Sequence, residues 1–150
     1  MLEAIGDWPG AIWLQQSSTA YLFVNAAHIL GIGLLLGGIL PLDLRLLGLL
    51  KKHPIEVLAP FLVRSAALGL ALAIATGLWL FSVKPGEYLA NAAFRWKLVL
   101  LAIALINVAI QHRLTNTREW AIVPATRLSA ALSLCLWVSV LIAGRWIGFL

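Results

Sequence analysis

The sequence predicts an all-α fold, a four-helix transmembrane bundle, and three observations carry that prediction. Four apolar stretches, roughly Thr19–Leu42, Leu58–Val83, Ala90–Gln111 and Leu128–Leu150, fill most of the 150 residues. The chain is 62% hydrophobic and 11% charged, with a mean hydropathy of +0.97, whereas soluble domains carry about 25% charged residues. Nearly every charge lies in or beside the gaps between the stretches. A helix needs about 20 apolar residues to cross a hydrocarbon core of ~30 Å, so four spans and their short connections use up this length and leave no room for a soluble module.

Residues 1–18 hold Trp8, Pro9, Gly10 and Trp13 and are too short and polar to span. They read as an interfacial lead-in to a transmembrane domain of residues 19–150, the two indoles suiting the water–lipid boundary. Glu3 and Asp7 precede the first basic residue, Arg45. The basic n-region of a signal peptide is missing, so the first span is expected to stay in the protein. Ser17, Ser18 and Thr19 are candidate caps for it. Its apolar run lasts to Pro41 and Asp43, and the helix is expected to continue through Arg45 to Leu50, because a proline can kink a membrane helix without ending it.

Pro54 and Pro60 bracket the entry to the second span, and Lys84–Pro85–Gly86–Glu87 is a turn that makes a hairpin of the second and third. The third span has only fourteen uncharged residues, Leu98–Gln111. Arg95 and Lys97 must therefore lie in its first turns, stems along lipid and heads at the interface. Cys135 in the fourth span has no cysteine partner and reads as a small packing residue. No internal repeat supports an inverted-repeat transporter design.

The net charge of +5 does not point to nucleic acid, because the eleven basic residues are scattered singly and no basic run with interleaved aromatics occurs. Topology accounts for them. Arg45, Lys51, Lys52, Arg64, Arg113, Arg118 and Arg127 flank the first and third connections, against Lys84, Arg95, Lys97 and Arg145 on the other side. The positive-inside rule then puts both termini outside the cytoplasm.

Small residues mark helix contacts. Ser65, Gly69, Ala73 and Gly77 recur every four residues in the second span, and Gly33 with Gly37 forms a GxxxG in the first. These faces are expected to be buried in protein, either for tight packing or to open space for a flat cofactor.

His28 is the residue whose cost in lipid asks for a functional explanation. It lies fourteen residues before Leu42, about 21 Å deep at 1.5 Å per residue. Tyr21, Asn25, His28 and Ile32 follow a helical spacing and are expected to share one inward face. Thr76 comes to a similar level, and Ser139 is a further candidate for the same layer. A neutral imidazole with such partners is either a satisfied polar cluster or a haem or metal ligand. Lys97, Arg145 and Arg95, with Trp96 and Trp146 beside them, cluster where haem propionates would reach, and the same residues also serve as interfacial anchors. His53 is in a loop, and His112 differs from His28 in depth by about 20 Å, so a haem here has one histidine. Paired zinc or copper spacings are absent from the spans.

Asp43 is expected to pair with Arg64, Arg113 or Arg127, fixing the bundle; a proton or substrate gate is the sharper alternative. Asn107 and Gln111 share a face with Lys97 and Ala104, an inward polar stripe. The six carboxylates all lie at ends or loops and no nucleophile has a visible base, so no catalytic residue is assigned.

The segments AHILGIGLLLGGILPLDLRLLGL, ATGLWLFSV, NAAFRWKLVLLAIALIN and RLSAALSLCLWVSVLIAGRWIGF resemble those of a family of small bacterial four-helix membrane proteins of unknown function. That resemblance covers almost the whole chain and implies a fold, in the bacterial inner membrane, without an activity. More distantly, the first-span histidine followed by glycines looks like copper-resistance D and cytochrome b561-like membrane proteins, in which paired histidines carry haem or metal; His28 matches one such position at most.

The expected function is a redox protein binding haem b, with His28 as ligand, Asn25 or Thr76 orienting it, and Lys97 and Arg145 meeting propionates. A metal ion on His28 is the lesser form of that reading. The alternatives are a non-catalytic scaffold or subunit packing through its glycine faces, and a small transporter. The partners expected are the lipid bilayer and a second copy or other membrane subunits.

Overall fold

The computed structural model describes residues 5–50, 54–117 and 123–149. Its helices are α1 (Pro9–Gln16), α2 (Ser18–Leu46), α3 (Ile55–Val83), α4 (Pro85–Ala90), α5 (Ala92–Thr117) and α6 (Pro124–Trp146), followed by a short 3-10 turn, Ile147–Phe149. Four of them, α2, α3, α5 and α6, are long and apolar enough to cross a membrane. Only 11–33% of the residues in their most apolar windows are buried within the chain. The rest of that apolar surface, Phe23, Leu68 and Leu128 among it, has lipid as its natural solvent.

Local chemistry sets the ends. Ser17 Oγ accepts from the Ala20 amide at 3.2 Å and caps α2. The helix stops at Leu46 rather than Leu50, because Gly48 takes a left-handed φ of +86° that only glycine adopts cheaply. There the Gly48 amide bonds the Arg45 carbonyl and the Leu49 amide the Leu44 carbonyl, both at 3.0 Å, which satisfies carbonyls that would otherwise be orphaned. Pro41 lies inside α2 without ending it. The turn expected at residues 84–87 holds the six-residue helix α4, since proline is tolerated at a first helical position and its missing N–H costs nothing there. Asn91 then caps α5 through the Phe94 amide at 3.2 Å and donates to the Ile147 carbonyl at 3.3 Å, joining the start of α5 to the end of α6.

The lead-in is a helix clamped to the end of α3. Trp8 Nε1 donates to Ser82 Oγ and Trp79 Nε1 to the Gly10 carbonyl, each at 3.0 Å, while the Trp79 ring lies 6.1 and 6.0 Å from those of Trp8 and Trp13. Beside it, Phe81 stacks on Phe94 at 5.5 Å and Tyr88 covers both. Burial, and then the neighbouring Tyr21 phenol, pushes Tyr88 up to about 12. It stays a neutral hydrogen-bonding group. We call this the tryptophan end and the opposite one the far end.

Two antiparallel pairs build the bundle: α2 packs on α3 and α5 on α6, and α2 against α6 joins them. Close packing of the first pair rests on glycine. A Cβ on Gly31 would come 2.7 Å from the Ala73 amide nitrogen, and one on Gly69 would collide with the Leu35 nitrogen. Ser65, Gly69, Ala73 and Gly77 thus face α2 as their spacing predicts. The GxxxG expectation for Gly33 and Gly37 is corrected: a Cβ on either would meet no atom within 4 Å. The crossing uses Gly31 and Gly38 instead, seven residues apart on the same stripe. Among the described residues α3 makes no close backbone approach to α5 or α6, which leaves a seam on that side.

Candidate functional sites in the membrane-spanning region

Two polar layers interrupt the apolar interior. The upper one, toward the tryptophan end, is built on His28. Its Nδ1 lies 3.0 Å from Thr76 Oγ1, and Thr76 is buried. The Thr76 hydroxyl gives its single proton to the Leu72 carbonyl at 2.6 Å. It must therefore accept from the imidazole, which makes Nδ1 the donor and leaves Nε2 of the neutral ring with a lone pair. The Ala73 carbonyl lies beside the ring. Gly77 supplies the space: a Cβ there would stand 3.0 Å from His28 Cε1.

The other residues expected in this layer are placed differently. Asn25 is exposed on the outer surface of α2. The buried stripe of that helix runs through Ala20, Val24, Gly31 and Leu35, so His28 lies at its edge and Asn25 beyond it; the shared inward face of Tyr21, Asn25 and His28 is corrected accordingly. Orientation of the ring falls to Thr76. Ser139 does not join, because its hydroxyl donates to the Cys135 carbonyl of its own helix at 2.7 Å. Cys135 is exposed rather than packed inside.

Lys97 is half-buried along Gly144, its Nζ 3.5 Å from where a Cβ would stand on that glycine. It lies within electrostatic range of His28, and no hydrogen bond or ion pair is formed by it among the described residues. Arg145 is exposed, with its guanidinium 4.9 Å over the Phe149 ring. His28, Thr76 and Lys97 are thus brought to one level, while Arg145 and Asn25 are not gathered with them.

The second layer lies toward the far end. Asp43 is 1% exposed, and its Oδ1 accepts from Gln111 Nε2 at 2.9 Å. The arginine pairing is corrected: the ion pair among the described residues is Lys84–Glu87 at the surface, and an amide, which is cheaper to bury than a guanidinium, takes the carboxylate. The Ser129 hydroxyl directs its one proton to Asn107 Oδ1 at 3.1 Å and has Gln111 Oε1 at 3.4 Å. Asn107 returns a bond to the Ser129 carbonyl at 3.1 Å. The inward stripe of Asn107, Gln111 and Ala104 is present, all three being buried.

Ser129, Ser133 and Trp137 were not among the candidates read from the sequence. Their signal was there, in polar and aromatic residues four apart along one face of the fourth span. Ser133 stands beside the Asp43 carboxylate, yet among the described residues Asp43 Oδ2 and the buried Trp137 Nε1 both lack a partner. Asp43, Ser133 and Trp137 line a cavity of about 170 Å³ that lies between the two helix pairs.

His53 lies outside the described residues, and His112 borders the cavity in the second layer, far from His28. Among the described residues no three histidine, cysteine, aspartate or glutamate side chains come together. A bare metal ion at His28 would hold a single protein ligand, which does not fit the three or four that such ions take. A single imidazole with a free Nε2 is a donor that a haem iron would accept.

Neither the curated proteins nor the solved structures contain a match to the chain, so the distant likeness to copper-resistance D and cytochrome b561-like proteins gains no support from them. A profile for a family of unknown function (DUF6644) matches residues 7–150. With nearly its whole length matched, the chain belongs to that family.

Proposed function

We propose that the protein is a multi-pass protein of the bacterial inner membrane, far end in the cytoplasm, that binds haem b through His28 for electron transfer. The observation that carries this reading is the commitment of the Thr76 proton to the Leu72 carbonyl at 2.6 Å, which turns the Nε2 lone pair of a neutral His28 outward from that bond. A hydrogen bond fixing the non-ligating nitrogen is how ligand histidines are usually held. Lys97, a cation at the same level without an ion-pair partner among the described residues, suits a propionate. Haem would supply one-electron chemistry when bound; His28 would hold it through Nε2, Thr76 would orient the ring, and Lys97 would place a positive charge beside it. The orientation in the membrane follows from the excess of Arg and Lys around the far end.

The test is the absorption spectrum of protein purified from haem-replete cells. A Soret band that is lost in His28→Ala and weakened in Lys97→Met supports the reading. A colourless preparation whose spectrum is unchanged when haem is added would overturn it.

One observation favours a second reading, a scaffold that associates with another copy. Gly33 and Gly37 are open to lipid, with nothing packed on them, and a GxxxG in lipid is a surface on which helices approach closely. Cross-linking from cysteines placed beside these glycines, abolished by Gly37→Leu, supports it; an unaltered monomer in nanodiscs at high protein-to-lipid ratio contradicts it.

A further inference from the structure

The second polar layer contains an acceptor and a donor, each buried and each unused. Asp43 is 1% exposed and Trp137 2%, and among the described residues Asp43 Oδ2 and Trp137 Nε1 have no hydrogen-bond partner. Burial of such groups without partners costs roughly 1–3 kcal/mol each, so a native protein seldom leaves two of them on one cavity without something to complete them. Both residues line the same space of about 170 Å³.

The shape and lining of that space define what completes them. A water takes about 30 Å³ of liquid volume, and a dry cavity of about 150 Å³ accepts a benzene ring. Beyond the polar end the walls are Leu35, Ile39, Val63 and Leu70, which suit carbon and not a chain of waters. The cavity also lies along the seam where α3 makes no close backbone approach to α5. Entry from the lipid between those two helices parts side chains only and breaks no close backbone contact among the described residues.

From these observations we infer that the Asp43–Trp137 cavity is a binding site for a lipid-soluble molecule whose head is a single hydroxylated ring. The hydroxyl donates to Asp43 Oδ2 and accepts from the Trp137 N–H, the ring fills the apolar part, and any tail leaves through the α3–α5 seam. A hydroxyl suits this pair because it gives and takes a hydrogen bond at one atom, which neither a cation nor an ether does. The site is separate from His28, and the inference does not depend on haem binding.

The experiment uses the full chain in lipid nanodiscs and follows the Trp137 indole N–H resonance, assigned by its loss in Trp137→Phe. Titration with para-pentylphenol is expected to shift that resonance saturably. Asp43→Asn is expected to weaken binding about tenfold or more, the usual range for a charge-assisted bond. Val63→Phe, which fills the cavity and leaves both polar groups intact, abolishes it and guards against a folding defect in the aspartate variant. Para-pentylcyclohexanol in place of the phenol tells a saturated ring from an aromatic one, and a saturable shift with either supports the site. An equal response to para-pentylanisole, which has no hydroxyl proton, would overturn the inference, as would an indole resonance that exchanges only with water or affinity unchanged by Asp43→Asn.

Discussion

Gln111 Nε2 donates to Asp43 Oδ1 across 2.9 Å, joining α2 to α5, two helices that make no close backbone approach to each other among the described residues. A side-chain bond here links two helices whose backbones stay apart. It orients the buried carboxylate and, through Ser129 and Asn107, ties it to α6.

Loss of the amide donor therefore strands a buried acceptor. Gln111→Leu is expected to lower stability by about 1–3 kcal/mol, read as unfolding in bicelles with increasing denaturing detergent. The pair Asp43→Leu with Gln111→Leu is expected to be more stable than Gln111→Leu alone, because removing both partners leaves nothing unsatisfied. A double variant no better than the single one would show that the bond carries little of the packing.

The glycine crossing makes a prediction with its own control. Gly69→Ala places a methyl against the Leu35 backbone and Gly31→Ala against the Ala73 nitrogen, at 2.7 Å in the second case. Backbone atoms cannot rotate away, so each is expected to cost about 1–3 kcal/mol. Gly33→Ala and Gly37→Ala meet open space and are expected to stay within about 0.5 kcal/mol of the parent. The same denaturation assay ranks all four.

Indole hydrogen bonds anchor α1. Trp79→Phe keeps the ring stack and removes the donor to the Gly10 carbonyl, a loss of about 0.5–1.5 kcal/mol. Hydrogen exchange in residues 9–16 is expected to speed up, while the middle of α2 and α3 stays protected. Uniform loss of protection would mean that α1 is needed for the whole bundle.

Much of this architecture was legible from the chain. Apolar length placed all four spans, Ser17 marked the start of the first, and four-residue spacing put Gly69, Ala73 and Gly77 on the face of α3 that meets α2. Helical periodicity is a coarse ruler, however. It put Asn25 with His28 because both fall within one turn, and it could not say that the buried stripe runs one position away, through Val24. Gly33–Gly37 and Gly31–Gly38 are equally plausible from composition; only the facing backbone of α3 decides between them. Asp43 found an amide instead of an arginine because its partner is chosen by burial and register, neither of which is local. Trp137 shared the four-residue spacing of Ser129 and Ser133, but an indole reads as hydrophobic until its buried N–H is seen to lack a partner among the described residues.

The central claim is that Thr76 makes His28 a histidine with a bare Nε2, and the most direct measurement is nitrogen-15 NMR of ring-labelled histidine at neutral pH, assigned with His28→Ala. The account predicts a protonated Nδ1 and an unprotonated Nε2 for His28, with the two tautomers mixing in Thr76→Val. A ring protonated at Nε2 in the parent protein, or a tautomer that Thr76→Val leaves unchanged, would contradict it.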